Sequence, residues 1–357
     1  MDERVCVLAT GARTCVGATA PASAAAIRAG MALFAEHPFM IDRHGEPMIV
    51  ARDSFLPPEM PLKMRLGNLA SSAAGEALAV LECVEAARRP PLTLQVGLPE
   101  PRPGLPGDIE ATLAERLQQT IGAAVALEGI SFSRNGHSAG LLAIGSTAAR
   151  IAAGAPGLFL AGGVDSYLEP ETLEWLDQQG QLHGPQNTWG FVPGEAAAFC
   201  LLAGAATARR LGMEPRLWVA SFGSAREQHR IKTDSLCVGL GLSDAVRQAA
   251  AGLPPGSRID QALCDFNGEP YRGDELGYTI VRTAEHFVSP GDFVTPADCW
   301  GDVGAASGPA SAMLAVMAGT RGYARGPLAL ACASSEGGAR AALVIESAQG
   351  RHAQLTR

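Results

Sequence analysis

The chain has 357 residues, of which 47% are apolar and 18% charged, an ordinary balance for a soluble globular protein. This length predicts two domains or one large duplicated unit. The net charge of −8 argues against a dominant basic face, so we expect no nucleic-acid partner. Forty-two glycines and few aromatic side chains indicate close packing of helices on a sheet.

The eight cysteines form no Cys-x-x-Cys pair, so neither a zinc ribbon nor a redox dithiol is predicted. Cys6, Cys200 and Cys332 lie inside apolar runs, which favours small buried side chains in a reducing cytoplasm. No basic leader precedes a long apolar stretch, so we expect no secretory signal. No apolar run reaches the length of a bilayer, and no membrane span is predicted.

Along the chain, short apolar runs typical of strands alternate with longer segments of helical spacing. Predicted strands cover residues 5–9, 92–98, 130–133, 157–161, 216–221, 259–265, 328–332 and 341–346. Predicted helices cover residues 21–34, 68–87, 109–127, 137–153, 243–251, 273–286 and 305–318. This alternation predicts a largely parallel sheet that is covered by helices on both faces.

Two segments share a local pattern, in which a polar side chain follows a glycine just before a helix of small residues. The first is Asn135-Gly136-His137-Ser138, and the second is Trp300-Gly301-Asp302-Val303-Gly304. This weak internal similarity suggests that related turns occur in both halves of the chain.

Six motifs, met in order over nearly the whole chain, resemble those of the β-ketoacyl synthases of the thiolase superfamily. They include Gly190-Phe191-Val192-Pro193-Gly194-Glu195 and lie at residues 5–12, 140–145, 159–166, 190–198, 304–308 and 337–343. The resemblance implies an α/β fold, the thiolase-like duplicated αβαβα layers with mixed, largely parallel sheets. It also implies two thiolase-like halves, residues 1–213 and 214–357.

The positions that carry catalysis in this family are all changed here. A ketosynthase needs a cysteine thiolate at a helix N-terminus, where the helix dipole lowers the pKa of the thiol. The resemblance puts His137 at that position, and Phe266 or Asn267 at that of the family's first histidine. Asp302 stands for the second histidine and Ala297 for the lysine. We therefore expect no condensing activity.

If the fold is kept, His137, Asn267 and Asp302 converge in one degenerate pocket, and two interpretations stay open. In the first they are structural, with Asp302 capping a helix and Asn267 forming a turn. In the second, Asp302 raises the pKa of His137 while burial and the helix dipole lower it, and the pair acts as a general base. Ser138 is adjacent to His137 but should point elsewhere, so no Ser-His-Asp triad is expected. Neither a metal nor a cofactor is predicted.

Glu195 in the fourth motif and Trp189 just before that motif have expected structural roles. Glu195 lies near the active site in the family, where it is usually structural, so its presence supports the fold. Trp189 is expected in the core or at an interface.

Three functions follow as alternatives. The first is a pseudoenzyme acting through protein contacts as an adaptor, a chaperone-like protein or a partner subunit. Chain-length factors and the thiolase-like proteins of bacterial type VI secretion are such cases. The second is an acyltransferase or hydrolase with altered chemistry at His137 and Asp302. The third is a module that binds an acyl chain or CoA without turning it over.

The resemblance also implies partners. We expect a cytoplasmic homodimer, or a heterodimer with a ketosynthase-like partner. A secretion effector and an acyl carrier protein are further candidates. The second subunit should cover an apolar face near residues 157–161.

Overall fold

The computed structural model describes residues 3–215 and 217–347. The strands of this part of the chain are β1 (Val5–Thr14), β2 (Ala35–Ile41), β3 (Pro47–Val50), β4 (Leu92–Leu98), β5 (Leu127–Arg134), β6 (Leu158–Ser166), β7 (Glu195–Gly204), β8 (Leu217–Arg226), β9 (Gln261–Cys264), β10 (Phe293–Val294), β11 (Leu328–Ser334) and β12 (Ala339–Ser347). Its helices are α1 (Ala20–Arg28), α2 (Leu62–Leu78), α3 (Ile109–Gly122), α4 (Ala139–Ala152), α5 (Pro170–Gln178), α6 (Ala205–Arg210), α7 (Leu240–Ala251), α8 (Pro270–Thr283), α9 (Ala297–Trp300) and α10 (Ser307–Arg321).

Ten of these strands form one mixed sheet, in the order β10-β9-β11-β12-β8-β1-β7-β6-β4-β5. When the sheet strands of each half are numbered along the chain, both halves have the same order from the outer edge to the centre: third, second, fourth, fifth and first. In both halves the outer three strands pair in parallel. The next pairs are antiparallel, and the halves join through two residue pairs between β1 and β8. The strand order is therefore duplicated.

Helices surround and separate the two halves of the sheet. Helices α4 and α10 contact each other and strands of both halves, so they form the middle layer. Helix α2 packs on β1, β6 and β7 with α3 beside it, and α7 packs on β8 and β12 with α8 beside it. The apolar core follows these layers, with one cluster in the middle and one under each outer helix pair.

The middle layer depends on small residues where α4 meets α10. A Cβ added at Gly140 would lie 2.1 Å from the Pro309 Cγ, and one at Gly308 would lie 2.4 Å from the Leu141 Cγ. Each helix thus presents a glycine to a larger side chain of the other. This reciprocal contact brings the N-termini of α4 and α10 close together, which positions the site described below.

Several boundaries differ from the predictions. Helix α1 ends at Arg28 and not at residue 34, because Gly30 takes the left-handed conformation, with a φ of 65° that favours glycine after a helix. The hairpin of β2 and β3, the strand β7 and the helix α5 were not predicted. Strand β7 is buried at all ten residues, so it shows no alternation of polar and apolar side chains. Arg216, the first residue of a predicted strand, lies outside the described residues, as do residues 1–2 and 348–357 of the predicted halves.

The expectation of an apolar face near residues 157–161 is wrong. Strand β6 is buried at every residue and lies inside the sheet, hydrogen-bonded to β4 and β7. The strand at the edge of that half is β5. Among the described residues, no helix combines the length and the apolar character needed to cross a bilayer.

We predict that Gly140→Ala strongly destabilises the protein. The new methyl group would overlap the stiff Pro309 ring, and overpacking of this kind costs about 1–3 kcal/mol. Gly122→Ala is the matched control, because nothing lies within 4 Å of a Cβ there, and it should be neutral or slightly stabilising. Urea unfolding measures both changes. Equal unfolding midpoints for the two variants would contradict the close packing of α4 on α10.

Candidate functional site

The turn before α4 presents His137 at the start of the helix. Strand β5 ends at Arg134, and Gly136 turns the chain with a φ of 62°. A short 3-10 turn from Gly136 to Ser138 then leads into α4, and His137 is buried within it. His137 therefore lies where the dipole of α4 has its positive end.

The corresponding turn of the second half presents Asp302. The chain passes through Gly304, with a φ of 49°, and a 3-10 turn before α10 begins at Ser307. The Oδ1 atom of Asp302 accepts the backbone N–H of Gly304 at 2.8 Å. Asp302 thus stabilises its own turn. The structural interpretation of the sequence expects Asp302 to cap a helix, but the N-cap residue of α10 is Ala306, which has no side-chain hydrogen bond.

The two turns bring His137 and Asp302 into direct contact across the middle layer. The Nε2 atom of His137 lies 2.9 Å from Oδ1 and 3.0 Å from Oδ2 of Asp302. The Nδ2 atom of Asn267 donates to Oδ2 of the same carboxylate at 2.7 Å. The three residues proposed from the sequence therefore form one hydrogen-bonded cluster.

Arg272 completes this cluster, and sequence reasoning missed it. Its Nη2 atom lies 3.2 Å from Nε2 and 3.5 Å from Nδ1 of His137. Its Nη1 atom donates to Asp265 at 3.2 Å and to the Ser334 carbonyl at 3.0 Å, and its Nε lies 3.6 Å from Glu269. Arg272 lies in the same segment as Asn267, the one that aligns with the family's first histidine. An arginine among acids in that segment was the available signal.

Opposing effects set the pKa values of this buried cluster. Burial lowers the pKa of His137, but the Asp302 carboxylate raises it further than burial and Arg272 lower it. Burial raises the pKa of Asp302, yet His137, Arg272 and the Gly304 N–H together hold it well below its usual range. The pair therefore favours an imidazolium beside a carboxylate.

The other candidate positions lie away from this cluster. Phe266 packs against the core under α7 and α8, so Asn267 is the one of the two that faces the site. Ala297 is half-buried at the start of α9 and does not line the cavity described below. The Ser138 hydroxyl lies 2.7 Å from that of Ser335, so its hydrogen bond is made outside the His137 cluster.

Glu195 and Trp189 have different surroundings, although they lie only six residues apart in the sequence. Glu195 is fully buried and accepts hydrogen bonds from Arg65 at 2.7 Å, the Asp53 N–H at 2.9 Å and Ser166 at 3.0 Å. It thus ties α2 and β6 to the loop after β3. Trp189 is 69% exposed, so its expected place in the core is wrong, and a role at an interface stays a prediction.

A small cavity opens beside His137 and Asp302. Its volume is about 70 Å³, room for a few water molecules and well below the roughly 300 Å³ of the smallest typical ligand sites. Its lining combines carboxylates, aromatic rings and Arg102, and comprises Pro99, Glu100, Pro101, Arg102, Gly136, His137, Asp165, Tyr167, Trp175, Leu176, Phe191, Asp302 and Glu336.

No cysteine lines this cavity, and all eight are free thiols. Cys83 is exposed, whereas the others are buried. Burial raises the pKa of Cys15 and of Cys264 to about 12 and that of Cys6 to about 11. A thiol with such a pKa is protonated at neutral pH and is a poor nucleophile.

One group of side chains has atoms close enough to share a metal ion, namely Glu227, Cys237 and Glu275. Its members are bonded to other groups. Glu275 accepts the Arg340 Nε–H at 2.7 Å, and Glu227 accepts the Gly241 N–H at 2.8 Å. Burial raises the pKa of Cys237 to about 11. These contacts fit a structural cluster better than a ligand set.

We predict that His137 makes stability depend on pH. Its folded-state pKa lies above the ordinary 6.5. Its contribution is therefore complete below about pH 6.5 and is lost as the pH rises through the folded pKa. Urea unfolding of wild type and His137→Gln from pH 5.5 to 8.5 measures this contribution. The difference between their free energies of unfolding should become smaller as the pH rises. His44→Gln, at an exposed histidine, is the control. A difference that grows with pH would contradict the raised pKa.

Solved structures match the whole chain closely in fold. The ketosynthase in complex with its chain length factor from Xenorhabdus doucetiae has a TM-score of 0.74 at 15% identity, covering 97% of this chain and 98% of that chain. The ishigamide ketosynthase/chain length factor has a TM-score of 0.77 at 16% identity, covering 97% and 100%. A type II polyketide ketosynthase in complex with its acyl-carrier protein has a TM-score of 0.77 at 14% identity, with the same coverage.

No protein-family model and no curated protein sequence matches the chain. Identities this low define the fold alone, so the activity has to be argued from the chemistry of the site. The TM-scores of 0.74 to 0.77 over 97% of the chain place its mixed α/β layers in the fold of these neighbours. The chain therefore has the thiolase-like fold of ketosynthases and chain length factors, as its sequence motifs predict.

Proposed function

We propose that this protein is a ketosynthase-fold protein without condensing activity that acts through contacts with other proteins. The observation that carries the proposal is the buried contact of His137 with Asp302 and Arg272. It occupies the helix N-terminus at which a ketosynthase holds its thiolate. A buried ion cluster of this kind stabilises a structure when every charge has a partner.

The hydrogen bonds of His137 argue against a condensing or hydrolytic role. Its Nε2 is used by Asp302, the raised pKa favours the protonated ring, and the Arg272 guanidinium, with Nη2 3.5 Å from Nδ1, lies on the side from which a substrate would approach Nδ1. A general base needs a free nitrogen within hydrogen-bond reach of the substrate. The neighbouring Ser138 is bonded to Ser335, and the buried thiols lie elsewhere. No described side chain at this position is thus arranged as an acyl acceptor.

The size of the cavity argues against an acyl-binding module. About 70 Å³ accommodates a few non-hydrogen atoms but no fatty-acyl or polyketide chain. Its lining carries four carboxylates, those of Glu100, Asp165, Asp302 and Glu336. An apolar chain would have to desolvate these groups without giving them a hydrogen bond.

The edge strand β5 is the best candidate for the protein contact. It forms one edge of the sheet and has eight residues, whereas β10 at the other edge has two residues. Beside it a groove of about 450 Å³ runs between β5, α4 and β8, with Phe132, Leu142 and Phe222 in its lining. An exposed edge strand readily pairs with a strand of another chain. A second subunit of the same fold could pair with β5 and cover this groove.

The partner proposed for this edge is another chain of the thiolase-like fold, either a second copy or a ketosynthase. Among the solved neighbours, ketosynthases occur in complex with a chain length factor or with an acyl-carrier protein. An adaptor for a type VI secretion effector is the alternative within the same non-condensing role. Co-purification with proteins encoded next to this one separates the two, because a homodimer or a ketosynthase complex supports the first and a bound effector supports the second.

A second candidate function is an acyl-thioester hydrolase or acyltransferase that uses His137 as its base. The observation that favours it is the short contact between His137 and Asp302, which resembles the carboxylate–imidazole pair of hydrolases. It would require Arg272 to move away from the ring, which frees Nδ1 for a substrate.

We predict that the protein is a dimer, alone or with a co-expressed ketosynthase, and that β5 forms the interface. Ser131→Arg combined with Ser133→Arg should give a monomer, because the new charges repel across a two-fold axis and lie in the groove. Gln118→Arg on α3 is the control for added charge. Light scattering during size-exclusion chromatography measures the mass. A monomer under both conditions, or an unaffected dimer in the double variant, would rule out this interface.

We also predict that the purified protein releases no CoA from acetyl-CoA or malonyl-CoA and that one thiol reacts rapidly with iodoacetamide. That thiol is Cys83, the exposed cysteine, so Cys83→Ser should abolish the fast modification. Mass spectrometry of the native protein identifies the modified residue. Turnover that disappears in His137→Ala would instead support the hydrolase, and fast labelling of a second cysteine would point to a thiolate site.

A further inference from the structure

Strand β5 forms one edge of the ten-stranded sheet, and its two faces carry different side chains. Residues 129–134 pair with β4 without interruption, so their side chains alternate between the two faces. Ile130 and Phe132 pack against the core under α2 and α3. Ser131 and Ser133 line the groove beside α4. The edge is thus apolar towards the outer helices and small and polar towards the groove.

Two copies of the chain that pair through this edge have to keep these faces. Residues directly opposite each other in an antiparallel pair project on the same face of the sheet. A shift by one residue would turn the apolar face of one copy towards the groove side of the other. A two-fold axis between the strands must therefore pass through a residue and not between two residues. An axis at Ile130 or Ser131 pairs seven of the eight residues of β5, namely 127–133 or 128–134, and every other axis pairs fewer.

The charged residues of β5 decide between these two axes. With the axis at Ile130, Glu128 would lie opposite Phe132, and no residue of the strand would lie opposite Arg134. With the axis at Ser131, Glu128 lies opposite Arg134. Ile130 then lies opposite Phe132, and both belong to the apolar face. Opposite charges and apolar side chains placed across antiparallel strands stabilise the pair, so the axis at Ser131 is favoured.

Both charged residues are placed to reach a second copy. Glu128 is exposed, and it is the extra residue of a bulge, so no residue of β4 lies opposite it. The side chain of Arg134 is 25% exposed. It donates through Nε to Glu110 at 2.7 Å and through Nη2 to the Gly107 carbonyl at 3.0 Å. A guanidinium has five N–H groups, so these bonds leave donors for a further carboxylate.

We propose that β5 pairs with β5 of a second copy of this chain, antiparallel about a two-fold axis through Ser131. Glu128 of each copy then forms an ion pair with Arg134 of the other. The proposal rests on the proposed subunit contact at β5 and names its partner. A homodimer is favoured over a complex with a ketosynthase, because the charged and apolar residues of this edge are complementary to themselves.

Cross-linking at the proposed axis tests the register. In a Cys83→Ser background, which removes the exposed thiol, Ser131→Cys should give a disulfide-linked dimer on mild oxidation. Opposite residues of an antiparallel pair have Cα atoms about 4.5–5.5 Å apart, which is within the range of a disulfide. Ser133→Cys is the matched control, because the two copies of that residue would lie about 13 Å apart along the strands. Non-reducing electrophoresis distinguishes the two variants.

An exchange of charges tests the ion pairs separately. Glu128→Arg should raise the dissociation constant of the dimer about tenfold, because arginines then face each other at both ends of the paired strands. Adding Arg134→Glu should return the constant towards the wild-type value, because the opposite charges are then exchanged. Glu115→Arg, at an exposed glutamate of α3, is the control for the change in net charge. Sedimentation equilibrium measures the three constants.

The outcomes separate this proposal from the one on which it rests. A wild-type protein that stays monomeric, or a dimer that persists in Ser131→Arg with Ser133→Arg, overturns the contact at β5 and the self-pairing with it. A dimer that this double variant dissociates, but that Ser131→Cys does not cross-link or the charge exchange does not restore, overturns the register alone. A stable complex with a ketosynthase without any homodimer overturns the choice of partner.

Discussion

The contact between His137 and Asp302 is the constraint on which the centre of the molecule depends. His137 lies within the 3-10 turn before α4, Asp302 lies just before the 3-10 turn that precedes α10, and the two turns come from opposite halves of the chain. A buried carboxylate without a partner costs several kcal/mol, so this ion pair favours one relative position of the halves. Arg272 belongs to α8, and its contacts with His137 and with Asp265, just after β9, extend the constraint to that helix and strand. Glycine packing between α4 and α10 makes the contact sterically feasible.

The fold could be predicted from sequence because its signals are local. Strand β4 covers the apolar run at residues 92–98, and α3 begins at residue 109, where the helical spacing begins. The order of the six motifs predicted the order of the elements around them. Strand β7 could not be found in this way, because full burial removes the alternation that marks a strand. The hairpin of β2 and β3 has mostly exposed residues on β2 and lies outside the duplicated pattern.

The site could be predicted only where a motif marks a position. His137, Asn267 and Asp302 were identified because each replaces a residue of a known motif. Arg272 was missed, since its contact with His137 spans 135 residues and depends on the docking of α8. Arg102 was missed for a similar reason, because its partner Asp165 is 63 residues away. Such long-range pairs result from the packing of distant segments and produce no recognisable residue spacing in the sequence.

The same packing separates the groups whose hydrogen bonds are used within the centre of the molecule from those with unused capacity. His137 and Asp302 are hydrogen-bonded to each other, and Asp302 also accepts a hydrogen bond from Asn267. Their charges therefore stabilise the contact between the two halves. The groups with unused capacity, Glu100 and Arg102, come from the loop after β4, whose bonds leave part of each side chain free. The N-terminus of α4 is therefore occupied by an ion pair that links it to the turn before α10.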